Sequence, residues 1–219
     1  MTLSGVLFDM DGLLVDTEKL WVLSEHRTMA ELGGGPWLAA DQAAIMGTSM
    51  EYSADYIRRR SGTYRSTQEV SDLLVGTMLG MLETAEIEVL PGAAELLTDV
   101  SRAELPFALV SASARRVVNL VLVALGRAGA PPFPVSVAGD EVARSKPDPL
   151  PYLTAADRLG IDITRAVVLE DSPNGVKAGV ASGATVVAVP HAVAVQPGPR
   201  LHVRTSLAGL DVATLRGLL

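Results

Sequence analysis

The chain has 219 residues, enough to bury a sizeable core as one large domain or two smaller ones, and 48% of them are hydrophobic, as in ordinary soluble globular proteins. A formal net charge of −7 argues against general nucleic-acid binding and against attraction to an anionic membrane surface. There is no cysteine, which excludes disulfides, zinc–thiolate sites and thiol nucleophiles.

In chain order, Leu3 and Val6-Leu7-Phe8 read as a short buried strand running into Asp9-Met10-Asp11-Gly12. Side chains alternate along a strand, so Asp9 and Asp11 share a face for as long as the extended pattern persists. Two carboxylates that close call for a cation or a shared proton. A polar strand-to-turn transition is the plain alternative. From about residue 17 to 88 the texture is helical. Helices are expected over 17–32, with Asp16 or Thr17 as N-cap, and over about 37–46, 49–61 and 67–85. Gly33-Gly34-Gly35-Pro36, Gly47-Thr48-Ser49 and Ser61-Gly62-Thr63 separate them. Connections this short predict a small antiparallel bundle.

Past Pro91-Gly92 the pattern changes to helix 93–101, strand 107–110, helix 114–125, strand 135–138 and helix 150–159. Strand 166–169, helix 176–182, strand 185–189 and a final helix over 207–218 complete it. Strands alternating with helices predict an α/β fold with a parallel, Rossmann-like sheet covered on both faces. The expected organisation is a core of residues 1–16 and 89–219, interrupted by an α-helical bundle over 17–88. No apolar run reaches the length of a membrane span; Val117–Leu125 is too short and contains Asn119. The first strand begins at once, without a basic leader, and there are no disulfides, so the expected location is the cytoplasm. His26, His191 and His202 are too scattered for a metal triad and read as surface or packing residues.

Open parallel sheets bind ligands beyond the carboxyl ends of their strands. The residues there are Asp9, Asp11, Ser111, Ser113, Glu170 and Asp171, with Lys146 from a loop before a helix. The set suits phosphoryl transfer. Oxygen ligands such as Asp9 and Asp171, with Glu170 direct or one step removed, suit Mg²⁺. The hydroxyls and backbone N–H groups of Ser111-Ala112-Ser113 are placed to hold phosphate oxygens. Lys146 offers a point positive charge to the transferring group. Each residue also has a quieter reading: the serines as helix caps, Lys146 as a solvated loop lysine, and Glu170-Asp171 as an acidic helix start.

Taken in order, these motifs resemble the haloacid dehalogenase superfamily, in particular its phosphatases and phosphomutases with a helical cap inserted after the first strand. The resemblance rests on Asp9-Met10-Asp11-Gly12 with Leu14–Glu18, Val110–Ser113, Gly139–Val142, Lys146-Pro147-Asp148-Pro149 and Leu169–Gly175, and it spans nearly the whole chain. It implies that Asp9 is a nucleophile forming an aspartyl-phosphate, and that Asp11 is the general acid and base, with its carbonyl on Mg²⁺. It also implies that Ser111 binds phosphate, that Lys146 stabilises charge and that Glu170 and Asp171 hold the cation. The inserted bundle then corresponds to the cap. Dehalogenation is disfavoured because Asp11 supplies the second acid that dehalogenases lack. Phosphonate cleavage is disfavoured because Lys19, the only cap lysine, does not match the Schiff-base position. A β-phosphoglucomutase-like phosphohexomutase is the alternative, but Met50 stands where such enzymes carry a basic residue. Arg58-Arg59-Arg60 could compensate. A phosphoacceptor domain without turnover is a further alternative. The leading expectation is a Mg²⁺-dependent phosphatase of a small phosphorylated metabolite, a sugar or nucleoside phosphate, with Trp21, Gly47, Thr48 and Ser49 as candidates for specificity.

Overall fold

Continuous apolar runs build the strands, and polar turns with glycine or proline separate them. In the computed structural model, which describes residues 2–46, 48–190 and 194–219, the chain opens with β1 (Gly5–Phe8) and the two-residue β2 (Val15–Asp16). The helices α1 (Glu18–Glu31), α2 (Ala39–Ile45), α3 (Met50–Ser61) and α4 (Thr67–Leu82) follow. After β3 (Glu88–Val89) come α5 (Ala93–Arg102), β4 (Phe107–Val110), α6 (Arg115–Arg127) and β5 (Val135–Val137). The chain continues through α7 (Leu150–Leu159), β6 (Ala166–Glu170), α8 (Pro173–Ala181), β7 (Thr185–Ala188), β8 (Leu201–Val203) and α9 (Val212–Arg216). Two compact units result, one holding the chain up to Asp16 and from Glu88 onward, the other Thr17–Ile87.

The first unit is built on a six-stranded parallel sheet ordered β5-β4-β1-β6-β7-β8. β1 is central, with Val6 opposite Phe107 on one side and opposite Val167 on the other. Chain order reverses beside it: β4 and β5 extend the sheet one way, β6 to β8 the other. Crevices at the carboxyl ends of strands form at such reversals. β1, β4, β6 and β7 are buried along their whole length, as befits strands covered on both faces. Leu7, Ala108, Val168 and Val186 from the sheet pack with Tyr152 and Ala155 of α7 and Val176 and Ala178 of α8. At the β5 edge, Arg115 and Arg158 donate to the Ser136 carbonyl, which blunts an otherwise open strand.

The second unit is a four-helix arrangement around Met29, Trp37, Ile45, Ala54, Ile57, Val70 and Leu74. Ser49 caps α3 through Tyr52 N–H, and Ser66 caps α4 in a reciprocal box with Glu69. Asp41 accepts from Leu38 N–H, Tyr56 Oη and Arg60, which ties α2 to α3.

Some expectations are corrected. The final helix spans only Val212–Arg216 rather than 207–218, because Gly209 takes a left-handed φ of 81° and Asp211 accepts from Thr214 N–H, starting the helix there. β8 and the antiparallel β2–β3 pair were not expected from the sequence, being three and two residues long. Thr17 precedes α1 but its side chain does not cap it. The extended run that would have held Asp9 and Asp11 on one face ends at Phe8. His26 is exposed and His202 half-buried in β8, while His191 lies outside the described residues.

Candidate active site

Asp9 directly follows β1 and its N–H donates to the Leu169 carbonyl, so the nucleophile candidate is fixed to the sheet at its backbone. Its side chain is buried and its Oδ1 accepts from Lys146 Nζ at 2.5 Å. Lys146 is itself buried, and its ammonium also donates to Glu170 Oε1 at 2.6 Å and to the Val110 carbonyl at 2.8 Å. A buried ammonium is tolerable only when paired and hydrogen-bonded in this way. Burial alone would pull its pKa down, but the carboxylates of Asp9 and Glu170 outweigh that and hold it above the ordinary lysine value. Lys146 is therefore cationic. The Asp9 carboxyl is pushed well above the usual range by burial and by the charges of Glu170 and Asp11, against the opposing pull of Lys146.

Glu170 ends β6 with no exposed surface. Its Oε1 accepts from Lys146 and from Tyr152 Oη at 2.6 Å each. Its Oε2 accepts from the N–H groups of Asp171 and Ser172 and from the Ser172 hydroxyl. Gly175 is required beneath it, since a Cβ there would lie 1.8 Å from Glu170 Oε1. Asp171 lies against the turn after β1. At Gly12, where φ is +77°, a Cβ would come 2.3 Å from Asp171 Oδ2. Asp9, Glu170 and Asp171 each offer an oxygen within 4.8 Å of the others, an all-oxygen set fitted to a hard cation.

Asp11 is half-buried and turns to other partners. Its Oδ2 accepts from Ser113 Oγ at 2.8 Å and Ser111 Oγ at 3.3 Å. Ser113 N–H donates to Ser111 Oγ and Ser111 N–H to the Val137 carbonyl. Those two amides are thus occupied, contrary to the expectation that they stand open to phosphate. The Ala112 N–H has no partner among the described residues. Gly139-Asp140-Glu141-Val142 braces this loop: Gly139 N–H donates to the Ser113 carbonyl, Asp140 accepts from Arg115 N–H, and Glu141 binds the Arg115 guanidinium. That guanidinium, hydrogen-bonded to Glu141, holds its carboxyl down at about 2.

The structure thus brings Asp9, Lys146, Glu170 and Asp171 together, and joins Asp11 to Ser111 and Ser113. Trp21, Thr48 and Ser49 belong to the second unit. Trp21 is half-buried on α1; Thr48 donates to the Ile45 carbonyl and shares a hydrogen bond with Ser53; Ser49 is engaged as a cap. Gly47 lies outside the described residues. The arginine triplet is engaged within its own unit: Arg58 and Arg59 pair with Asp55, and Arg60 with Asp41. Tyr152 was missed by sequence reasoning. One signal was available: a tyrosine among apolar neighbours in the helix after the lysine loop places a phenol that needs an acceptor when buried.

A parallel α/β sheet with buried carboxylates, an ammonium and hydroxyls gathered at its strand ends has the groups that phosphoryl transfer uses. The haloacid dehalogenase-like hydrolase family profile matches residues 6–189, and the chain belongs to that family. It is 31% identical over 217 residues to hexitol phosphatase B of Escherichia coli (strain K12), covering 98% of this chain and 96% of the relative. It is 32% identical over 216 residues to a probable pseudouridine-5'-phosphatase of Drosophila melanogaster, covering 95% and 88%. The crystal structure of CbbY from Rhodobacter sphaeroides in complex with phosphate superposes with a TM-score of 0.87 at 26% identity, covering 98% of this chain and 99% of that one. The protein is a hydrolase of the phosphatase type. None of the described helices is long and apolar enough to cross a membrane.

Proposed function

We propose that this enzyme is a cytoplasmic, Mg²⁺-dependent phosphatase that hydrolyses the phosphomonoester of a small sugar, polyol or nucleoside through an aspartyl-phosphate on Asp9. The observation that carries the reading is the buried ammonium of Lys146 held against Asp9 Oδ1. It marks the carboxylate beside which negative charge is to gather. In the proposed first step the Asp9 carboxylate attacks phosphorus, the bond to the leaving oxygen breaks, and Asp11 protonates that oxygen. In the second, Asp11 takes a proton from the water that attacks the phosphoryl group, releasing phosphate and restoring Asp9. Ser111 Oγ and the Ala112 N–H hold phosphoryl oxygens, and Lys146 balances their charge.

The acidic set fits Mg²⁺, because Asp9, Asp11, Glu170 and Asp171 outnumber the one ammonium among them. Asp9, Asp171 and the Asp11 carbonyl are assigned to hold it, with Glu170 alongside. When bound, the ion supplies positive charge that lets a phosphate dianion approach carboxylates. The second unit is assigned the choice of leaving group, with Trp21, Gly47, Thr48 and Ser49 contributing. The names of the hexitol and pseudouridine-5'-phosphate relatives support a polyol or nucleoside monophosphate. Pairing of Arg58, Arg59 and Arg60 with Asp55 and Asp41 favours hydrolysis over the mutase alternative, which needs a cation for a second phosphate.

The test is turnover of p-nitrophenyl phosphate and of a panel of hexitol, sugar and nucleoside monophosphates with Mg²⁺. Wild type should release phosphate, and Asp9→Asn should release none. Undiminished turnover by Asp9→Asn overturns the nucleophile assignment.

A further inference from the structure

Tyr152 has no exposed surface and lies in the first turn of α7, among the aliphatic side chains that cover the sheet. A phenylalanine would fill that space as well, so packing does not account for the phenol. The hydroxyl donates to Glu170 Oε1 at 2.6 Å, the same oxygen that receives Lys146 Nζ at 2.6 Å. The ring also faces the ammonium, with Nζ 4.9 Å from its centroid, within the range of a cation–π contact. Tyr152 therefore touches both ends of the Lys146–Glu170 ion pair and neither Asp9 nor Asp11 in any hydrogen bond.

We propose that Tyr152 is a positioning residue for phosphoryl transfer, which keeps the Lys146 ammonium aimed at Asp9 by restraining Glu170. The inference rests on the phosphatase reading above. Lys146 is divided between two carboxylates, Asp9 and Glu170. A carboxylate oxygen that already accepts from a phenol competes less strongly for a shared ammonium. Without the phenol, Glu170 Oε1 has Lys146 as its sole side-chain donor and draws it away from Asp9. Charge stabilisation is then lost where the phosphoryl group transfers, while substrate contacts elsewhere are untouched. The phenol remains a donor throughout, because burial first, and then the charge of Glu170, push its ionisation well above the usual tyrosine range.

The test is Tyr152→Phe in the full chain, which keeps the ring and removes only the hydroxyl. With p-nitrophenyl phosphate at saturating Mg²⁺, kcat should fall about tenfold, in line with loss of an outer hydrogen-bond partner, while KM stays within about twofold. Affinity for orthovanadate, which mimics the transferring group, should weaken by a similar factor. Adding Glu170→Gln should cost less than the two separate losses combined, because the phenol acts through Glu170. If Tyr152→Phe does not fold, the unmodified chain still supplies a readout: a slowly exchanging, downfield hydroxyl proton of Tyr152 that Glu170→Gln removes. Its absence overturns the proposal. So does a Tyr152→Phe enzyme with kcat within about twofold of wild type, or a loss of kcat that orthovanadate affinity does not follow. Wild type without any Mg²⁺-dependent turnover defeats the phosphatase reading itself; active wild type with an unaffected variant defeats only the role of Tyr152.

Discussion

Lys146 shows how one side chain can organise a buried site. Its ammonium meets Asp9, Glu170 and the Val110 carbonyl, and its removal leaves two buried carboxylates facing one another without a cation. Lys146→Met should therefore abolish turnover and also destabilise the fold, by about 3–5 kcal/mol as for other broken buried pairs. Denaturant unfolding of the variant in chelator measures this, and a loss below about 1 kcal/mol would show that the carboxylates relax into water or take up protons. The acidic and basic members of the cluster were legible as residue types at strand ends. Their partners were not. Ser113 reaches Asp11 across 102 positions of chain, and Tyr152 reads as one more core aromatic until its hydroxyl is seen on Glu170.

At the scale of elements, α1 carries a titratable group that the proposed chemistry does not use. Glu25 is buried in the helical unit, its Oε2 has no partner among the described residues, and burial raises its pKa to about 7 against a hydrogen bond from Gln42. The unfolded carboxyl ionises near 4.5, so below that pH both states are neutral and Glu25 costs nothing. Between pH 4.5 and about 7 the unfolded state ionises while the folded state does not, and stability falls as pH rises. The slope is at most about 1.4 kcal/mol per pH unit, and the penalty then stays constant above pH 7. Glu25→Gln should flatten this part of the profile and raise Tm at pH 8 more than at pH 5. An equal shift at both values would assign the effect to packing. The helices themselves were well marked, because Gly62, Ser49 and Ser66 sit at their ends as sequence punctuation. The last one was over-extended, since Leu207–Leu210 has the composition of a helix but Gly209 turns the chain first.

For the whole molecule, folding brings carboxylate oxygens of Asp9, Glu170 and Asp171 within 4.8 Å of one another, and the proposed Mg²⁺ site therefore exists only in the folded state. Added Mg²⁺ should raise Tm, by about 2.7 kcal/mol of stabilisation at one hundred times its dissociation constant, and a chelator should reverse both the shift and the activity. A Tm indifferent to Mg²⁺ would count against the cation assignment. The α/β class was legible because the buried strands of a parallel sheet are continuous apolar runs separated by helices. The short pairs β2–β3 and β8 were not, because runs of two or three residues hold no periodicity to read.

Local chemistry in the chain thus sufficed for the alternation of strands and helices, the inserted helical stretch and the supply of carboxylates, hydroxyls and one lysine at the strand ends. Those features depend on apolar spacing and turn residues within a few positions of one another. Which carboxylates share the ammonium, which takes the serine hydroxyls, and that a buried phenol donates to Glu170 were decided by tertiary structure alone. These contacts join residues from 18 to 137 positions apart, and only the packing of β1, β4, β6 and α7 brings them within hydrogen-bonding distance.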